Sequence, residues 1–183
     1  QLSAGSLNRI LSSLRRYLKY LIAMDYEVPV PPEAITLIKM PKKHPRVAEF
    51  ESMVKLIESP THFEKRQIEE TQKIAKRNRA ILETLFATGM RISELVSLNR
   101  SQIDASGRIF IRGKGRKERF VYLTPRAKKC IDAYLETRDD DLPALFISYR
   151  GKRMNFPRAR ISTNYIQMKI KQYREQLGIN VPT

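Results

Sequence analysis

Ala87-Thr88-Gly89-Met90-Arg91-Ile92-Ser93-Glu94-Leu95 is the stretch around which this 183-residue chain is organised. Ile81, Leu82, Leu85 and Phe86 run into it at helical spacing. Gly89 supplies a residue that takes positive φ at little cost, the usual way a helix is closed. Ile92, Leu95, Val96 and Leu98 resume an apolar spacing at once, which predicts a second helix where the first stops. Arg91 is therefore expected at a tight helix–turn–helix corner, projecting from well-anchored backbone.

Further along comes Arg112-Gly113-Lys114-Gly115-Arg116-Lys117-Glu118-Arg119, a basic, glycine-punctuated turn. Ile109-Phe110-Ile111 before it and Phe120-Val121-Tyr122-Leu123 after it read as the two strands of a hairpin. Residues 108–119 hold six basic side chains and one acidic one. Arg112 and Lys114, two apart, would share a face, with Arg116, Lys117 and Arg119 following the turn. An arginine clamps non-bridging phosphate oxygens bidentately, and a lysine on a turn can hold charge or pass a proton. On these residues alone, three readings stay open: phosphoryl chemistry, DNA binding without catalysis, and a merely solvated basic hairpin.

Charge points the same way. The chain carries 35 Lys+Arg against 19 Asp+Glu, a net +16. Residues 1–44 have 7 basic and 3 acidic side chains, so the excess is spread along the chain. The expected partner is a polyanion, with nucleic acid ahead of a membrane surface. No apolar run approaches the roughly 18–20 residues of a membrane span, and no signal peptide is evident. Cys130 is the single cysteine, so no internal disulfide forms, and no Cys/His cluster has metal-ligand spacing. A reduced cytoplasmic setting at the nucleoid is expected, with no metal and no cofactor.

Residues 5–24 read as an amphipathic helix with Leu7, Ile10, Leu11, Leu14, Leu18 and Leu21 on one stripe. Its other face bears Arg9, Arg15, Arg16 and Lys19, a solvated face or one laid along a phosphate backbone. One helix cannot bury its stripe alone, which suggests a fragment beginning inside a helical domain. Residues 28–46 are rich in proline and basic residues, including Lys42 and Lys43, and read as an interdomain linker. Phe50, Met53, Val54 and Ile57 predict a short helix ending by Ser59-Pro60. Thr61 to Asn78 mixes Lys/Arg with Glu as an exposed helix face does, and flows into a helix over 79–87. Thr124-Pro125 should open a helix running to about Arg138, with Ala127, Cys130, Ile131, Tyr134 and Leu135 inside. Asp139-Asp140-Asp141 reads as a solvated turn, and Ala144 to Ser148 as a short buried extended segment. Ser162 or Thr163 caps a last helix with Ile166, Ile170, Tyr173 and Leu177 inside, ended by Gly178.

In order along the chain, four motifs resemble the tyrosine recombinase (phage integrase) family, in its Xer-like branch. They are Arg77-Asn78-Arg79-Ala80-Ile81-Leu82-Glu83-Thr84-Leu85, the Arg91 stretch, Gly113 to Arg119 with Leu123-Thr124-Pro125, and Leu145 to Lys152. The resemblance implies a mainly α fold with a small antiparallel hairpin. Residues 1–27 would be the end of a helical core-binding domain, 28–46 the linker and 47–183 a catalytic domain, C-terminally incomplete. It also implies a two-domain clamp on double-stranded DNA and further recombinase protomers in a tetrameric synapse. Arg91 is similar to the arginine that binds the scissile phosphate, Lys114 to the hairpin general acid, and Glu94 to an acidic residue that orients an arginine. Arg15, Arg16, Lys19, Lys42, Lys43, Arg112, Arg116, Lys117 and Arg119 are the expected DNA contacts.

The family also uses a His-x-x-Arg box, a later His or Trp and a tyrosine nucleophile, which forms a 3′-phosphotyrosyl intermediate. His44 and His62 match nothing in that box. Tyr165 and Tyr173 precede its place, and Tyr122, Tyr134 and Tyr149 are expected in or near core elements. The chain as written is thus expected to bind DNA and, on its own, not to cleave it. The function implied is site-specific DNA recombination, with a type IB topoisomerase-like enzyme or a non-catalytic DNA-binding regulator as alternatives.

Overall fold

The structure is a computed structural model that describes residues 2–41, 44, 46–63, 69–112, 118–149 and 159–180. Lys42, Lys43, Lys114, Arg116 and Lys117 lie outside the described residues, as does the side chain of Arg112. The chain divides into two compact units, Gln1–Pro45 and Arg46–Thr183.

The first unit is built on helix α1, Ala4–Ala23. Ser3 caps it, its hydroxyl accepting from the Ser6 N–H at 3.2 Å. Residues read as the start of a linker return along the helix. The Asn8 side chain donates to the Ile38 carbonyl and accepts from the Ile38 N–H, both at 2.8 Å. Pro32 is buried beneath a short 3₁₀ turn, Pro32–Ala34. Leu18 is buried, whereas Ile10 and Leu14 of the same stripe are exposed.

In the second unit helix α3, Glu69–Thr88, is the central strut. It lies between α2, Phe50–Phe63, and α5, Pro125–Leu135. The short helix α4, Ile92–Ser97, follows it directly. Strands β1, Arg108–Arg112, and β2, Glu118–Tyr122, form the expected antiparallel hairpin, with Ile109 opposite Val121 and Ile111 opposite Arg119. Helix α6, Thr163–Gln176, is the last described helix, capped by the Ser162 hydroxyl. One core joins Ile81, Leu95, Leu98, Ile109, Val121, Ile131, Tyr134, Leu145 and Ile166. A second, smaller cluster of Leu56, Ile57, Leu82 and Tyr173 binds α2 and α6 to α3. The class is mainly α with one small antiparallel sheet, as the sequence implies.

Four readings need correction. Helix α2 does not stop at Pro60 but runs on to Phe63. Proline has no N–H for the Leu56 carbonyl one turn back, and the Ser59 hydroxyl donates to that carbonyl at 2.7 Å instead. Helix α3 begins at Glu69, and its N-terminal half is not an exposed face, since Arg77 and Asn78 are buried. Asn78 donates to the Tyr173 hydroxyl at 2.9 Å, and Arg77 to the Ile147 carbonyl at 2.9 Å and the Tyr165 hydroxyl at 2.7 Å. Helix α5 ends at Leu135, where the chain turns and the Arg138 guanidinium binds the carbonyls of Ala144 and Leu145. Tyr122 is on the outer face of the hairpin and exposed, while Tyr134 is wholly buried.

Candidate functional site

Local chemistry builds the Arg91 corner. Gly89 closes α3 at φ +60°, its N–H donating to the Leu85 carbonyl at 2.9 Å. A Cβ there would meet nothing within 4 Å, so the demand for glycine is conformational, not steric. The Thr88 hydroxyl donates to the Thr84 carbonyl at 2.6 Å and accepts from the Met90 N–H at 3.3 Å, which steadies the turn. Met90 and Leu95 are buried on either side of Arg91 and pin its backbone. Arg91 occupies the N-cap position of α4, its carbonyl accepting the first helical bond from Leu95 at 3.0 Å. Its side chain is 65% exposed.

Glu94 is the hub. It is 8% exposed and accepts four hydrogen bonds. The Arg91 N–H donates to Oε2 at 2.7 Å, half of a capping box, and Arg91 Nη1 donates to Oε1 at 3.1 Å. Arg119 donates with both ends of its fork, Nη1 to Oε1 at 3.1 Å and Nη2 to Oε2 at 2.8 Å. The Arg119 fork is the main reason the Glu94 carboxyl is held well below its ordinary 4.5, at about 2; burial opposes it and the Arg91 bonds add to it. Glu94 is therefore ionised at any physiological pH, and two guanidinium groups converge on it. Among the described residues Glu94 is the only group bonded to the Arg91 guanidinium, whose remaining donors face solvent.

A model of the phage integrase family matches residues 51–183. That span covers both the Arg91 corner and the hairpin. The chain belongs to the phage integrase family. Its relatives include tyrosine recombinases named XerC. It is 30% identical over 188 residues to tyrosine recombinase XerC of Thermodesulfovibrio yellowstonii, covering 97% of this chain and 57% of that protein. It is 34% identical over 158 residues to XerC of Pelobacter propionicus, covering 85% of this chain and 50% of that one. The chain thus spans about half the length of the curated relatives it matches. The fold matches that of a lambda integrase (75–356) dimer bound to a COC′ core site, with a TM-score of 0.70 at 18% identity, over 97% of this chain and 60% of that one.

In this integrase-family chain, the structure brings Arg91, Glu94 and Arg119 together. Lys114 lies on the connection between Arg112 and Glu118, which face one another at the open end of the paired strands. Arg119, expected at a phosphate, is engaged with Glu94 instead and is 38% exposed. In the first unit Arg16 and Lys19 are exposed and Arg15 half-buried, with Lys19 near Glu33 at 3.6 Å. The acidic turn is anchored: Asp140 accepts from Arg138 and from Arg100, the latter at 3.0 Å. Cys130 is half-buried against the core, and burial pushes its thiol up.

Sequence reasoning missed the coupling of Arg119 to Glu94. One signal was present, since Arg119, Val121 and Leu123 fall at period two on what proves to be the inward face. It also missed Arg160, which donates to the carbonyls of Val96 at 3.2 Å and Leu98 at 2.7 Å and to the Asn99 side chain. Nothing in the local sequence identifies that partner.

Proposed function

We propose that the protein is a site-specific DNA recombinase that cuts and rejoins duplex DNA through a 3′-phosphotyrosyl intermediate. The observation that carries this reading is the exposed Arg91 guanidinium on a rigid corner, held by one ionised carboxylate and otherwise open to solvent. In the proposed reaction Arg91 holds the non-bridging oxygens of the scissile phosphate and offsets the charge that builds there. A tyrosine oxygen attacks phosphorus, the bond to the 5′ oxygen breaks, and Lys114 gives that oxygen its proton. Glu94 orients Arg91 and takes no part in bond making.

Arg15, Arg16, Lys19, Lys42, Lys43, Arg112, Arg116 and Lys117 contact backbone phosphates, so affinity falls steeply with salt. Double-stranded DNA and further protomers are the partners, in keeping with the dimeric, DNA-bound state of the lambda integrase structure. No described helix is long and apolar enough to cross a membrane, and the proposed place of action is the nucleoid. The 183 residues by themselves bind duplex DNA without forming a covalent adduct.

The test uses the protein as encoded and a pool of nicked duplexes randomised over the site, with adducts trapped on denaturing gels. The expected result is a protein–DNA adduct through the 3′ phosphate that falls on the order of 10²–10³-fold in Arg91→Ala. No adduct, or one indifferent to Arg91, would contradict the reading.

A further inference from the structure

Arg119 is a half-buried cation, its side chain 38% exposed. The register puts it opposite Ile111, on the same face of β2 as the buried Val121. A guanidinium pointing inward there needs an acceptor that satisfies its fork, and Glu94 is that acceptor. A carboxylate has two oxygens with about four acceptor positions in all. Arg119 fills two, the Arg91 N–H a third and the Arg91 guanidinium the fourth. Glu94 therefore has no position left for a second bond to the Arg91 side chain.

We infer that Arg119 is a positioning residue: its grip on Glu94 locks the β1–β2 hairpin to the Arg91 corner and leaves the Arg91 guanidinium with a single tether, free to present its fork to a phosphate. The inference rests on the reading of Arg91 as a phosphate ligand. Without Arg119, two acceptor positions on Glu94 fall vacant. Arg91, three residues away at the N-cap of the same short helix, turns onto them and is withdrawn from the phosphate. The same loss removes the side-chain link between β2 and α4 that the Arg119 fork provides. Arg119 thus acts through Arg91 and not by touching DNA.

The experiment is a double-mutant cycle in duplex binding. The 183-residue chain and its Arg91→Ala, Arg119→Ala, Arg119→Gln and Arg91→Ala/Arg119→Ala forms are titrated with a short mixed-sequence duplex between about 50 and 200 mM salt. Glu94 is followed in parallel by carboxyl NMR. Arg119→Ala and Arg119→Gln are expected to weaken binding about as much as Arg91→Ala does, on the order of tenfold for one lost clamp. In the Arg91→Ala background the further loss of Arg119 changes affinity by less than about twofold and leaves the salt slope unaltered. The Glu94 carboxyl, at about 2 in the parent, stays well below 4.5 in both Arg119 variants, because the Arg91 guanidinium takes the vacated positions, and climbs toward 4.5 only in the double variant.

A further affinity loss with a slope lower by about one in the Arg91→Ala background makes Arg119 itself a phosphate contact and overturns the inference. A loss of the same size in both backgrounds with an unchanged slope makes Arg119 merely structural and overturns it too. A parent chain whose binding is indifferent to Arg91→Ala overturns the phosphate reading of Arg91, a separate failure.

Discussion

Helix α4 has an arginine at each end, and the two are used in opposite ways. Arg160 closes the C-terminal end, where its guanidinium is taken up by the carbonyls of Val96 and Leu98 and by Asn99. A cation at that end also meets carbonyl oxygens that the helix leaves unbonded. Arg91 opens the N-terminal end, is mostly exposed and gives Glu94 one guanidinium bond. Residue type does not separate them; the number of protein acceptors each has found does. An arginine whose donors are spent on backbone carbonyls holds the fold, and one held by a single carboxylate has donors left for a ligand. Arg138 belongs with Arg160: its side chain is buried and binds the carbonyls of Ala144 and Leu145 as well as Asp140.

Substitutions at the two ends should therefore separate stability from binding. Arg160→Ala is expected to have the largest effect on folding, about 2–4 kcal/mol in urea unfolding, because part-buried carbonyls lose their donor. Its duplex affinity per folded molecule should be near that of the parent chain, and a change under ~0.5 kcal/mol in stability would break the contrast.

Glu94→Gln comes next, on the order of 2–3 kcal/mol, since an amide cannot accept both forks and leaves Arg119 short of a counter-charge. Its pH dependence has a definite sign. The folded carboxyl lies at about 2, below its ordinary 4.5, so the stabilisation is full above about pH 4.5 and is lost as pH falls through 2. The gap between the parent chain and Glu94→Gln in urea titrations should shrink over that window. A gap constant from pH 6 to about pH 2 would remove the ion-pair explanation.

Gly89→Ala should cost about 1 kcal/mol from positive φ alone, as nothing crowds the new methyl group. A cost above about 3 kcal/mol by the same unfolding assay would point to a clash the geometry does not contain. Arg91→Ala should have the smallest effect on stability, under ~0.5 kcal/mol, because its ion pair is solvent-exposed on one side.

The contrast between the two ends of α4 was only half visible in the sequence. Gly89 between two apolar spacings is a local signal, and it located the Arg91 corner correctly. Thr124-Pro125, the hairpin alternation and the inner face of α5 are local too, and the structure agrees with them. The failures at Arg77, Asn78 and Arg119 share one cause, distance along the chain. Arg77 and Asn78 look like a solvated polar face until Ile147, Tyr165 and Tyr173 arrive from residues 70 to 95 positions away. Arg119 looks like one more cation of a basic turn until Glu94, 25 positions earlier, takes both arms of its fork. Pro60 looks like a helix stop until a neighbouring serine supplies the missing donor. A buried polar group is legible only with its partner, and the partner is set by the fold.

The central claim is that Arg91 is kept free for a phosphate. The most direct test is the salt dependence of duplex binding by the parent chain, Arg91→Ala and Arg160→Ala, plotted as log affinity against log salt. The expected slope is smaller by about one for Arg91→Ala and unchanged for Arg160→Ala. An Arg91→Ala slope equal to that of the parent chain would show that Arg91 meets no phosphate, and would contradict the account.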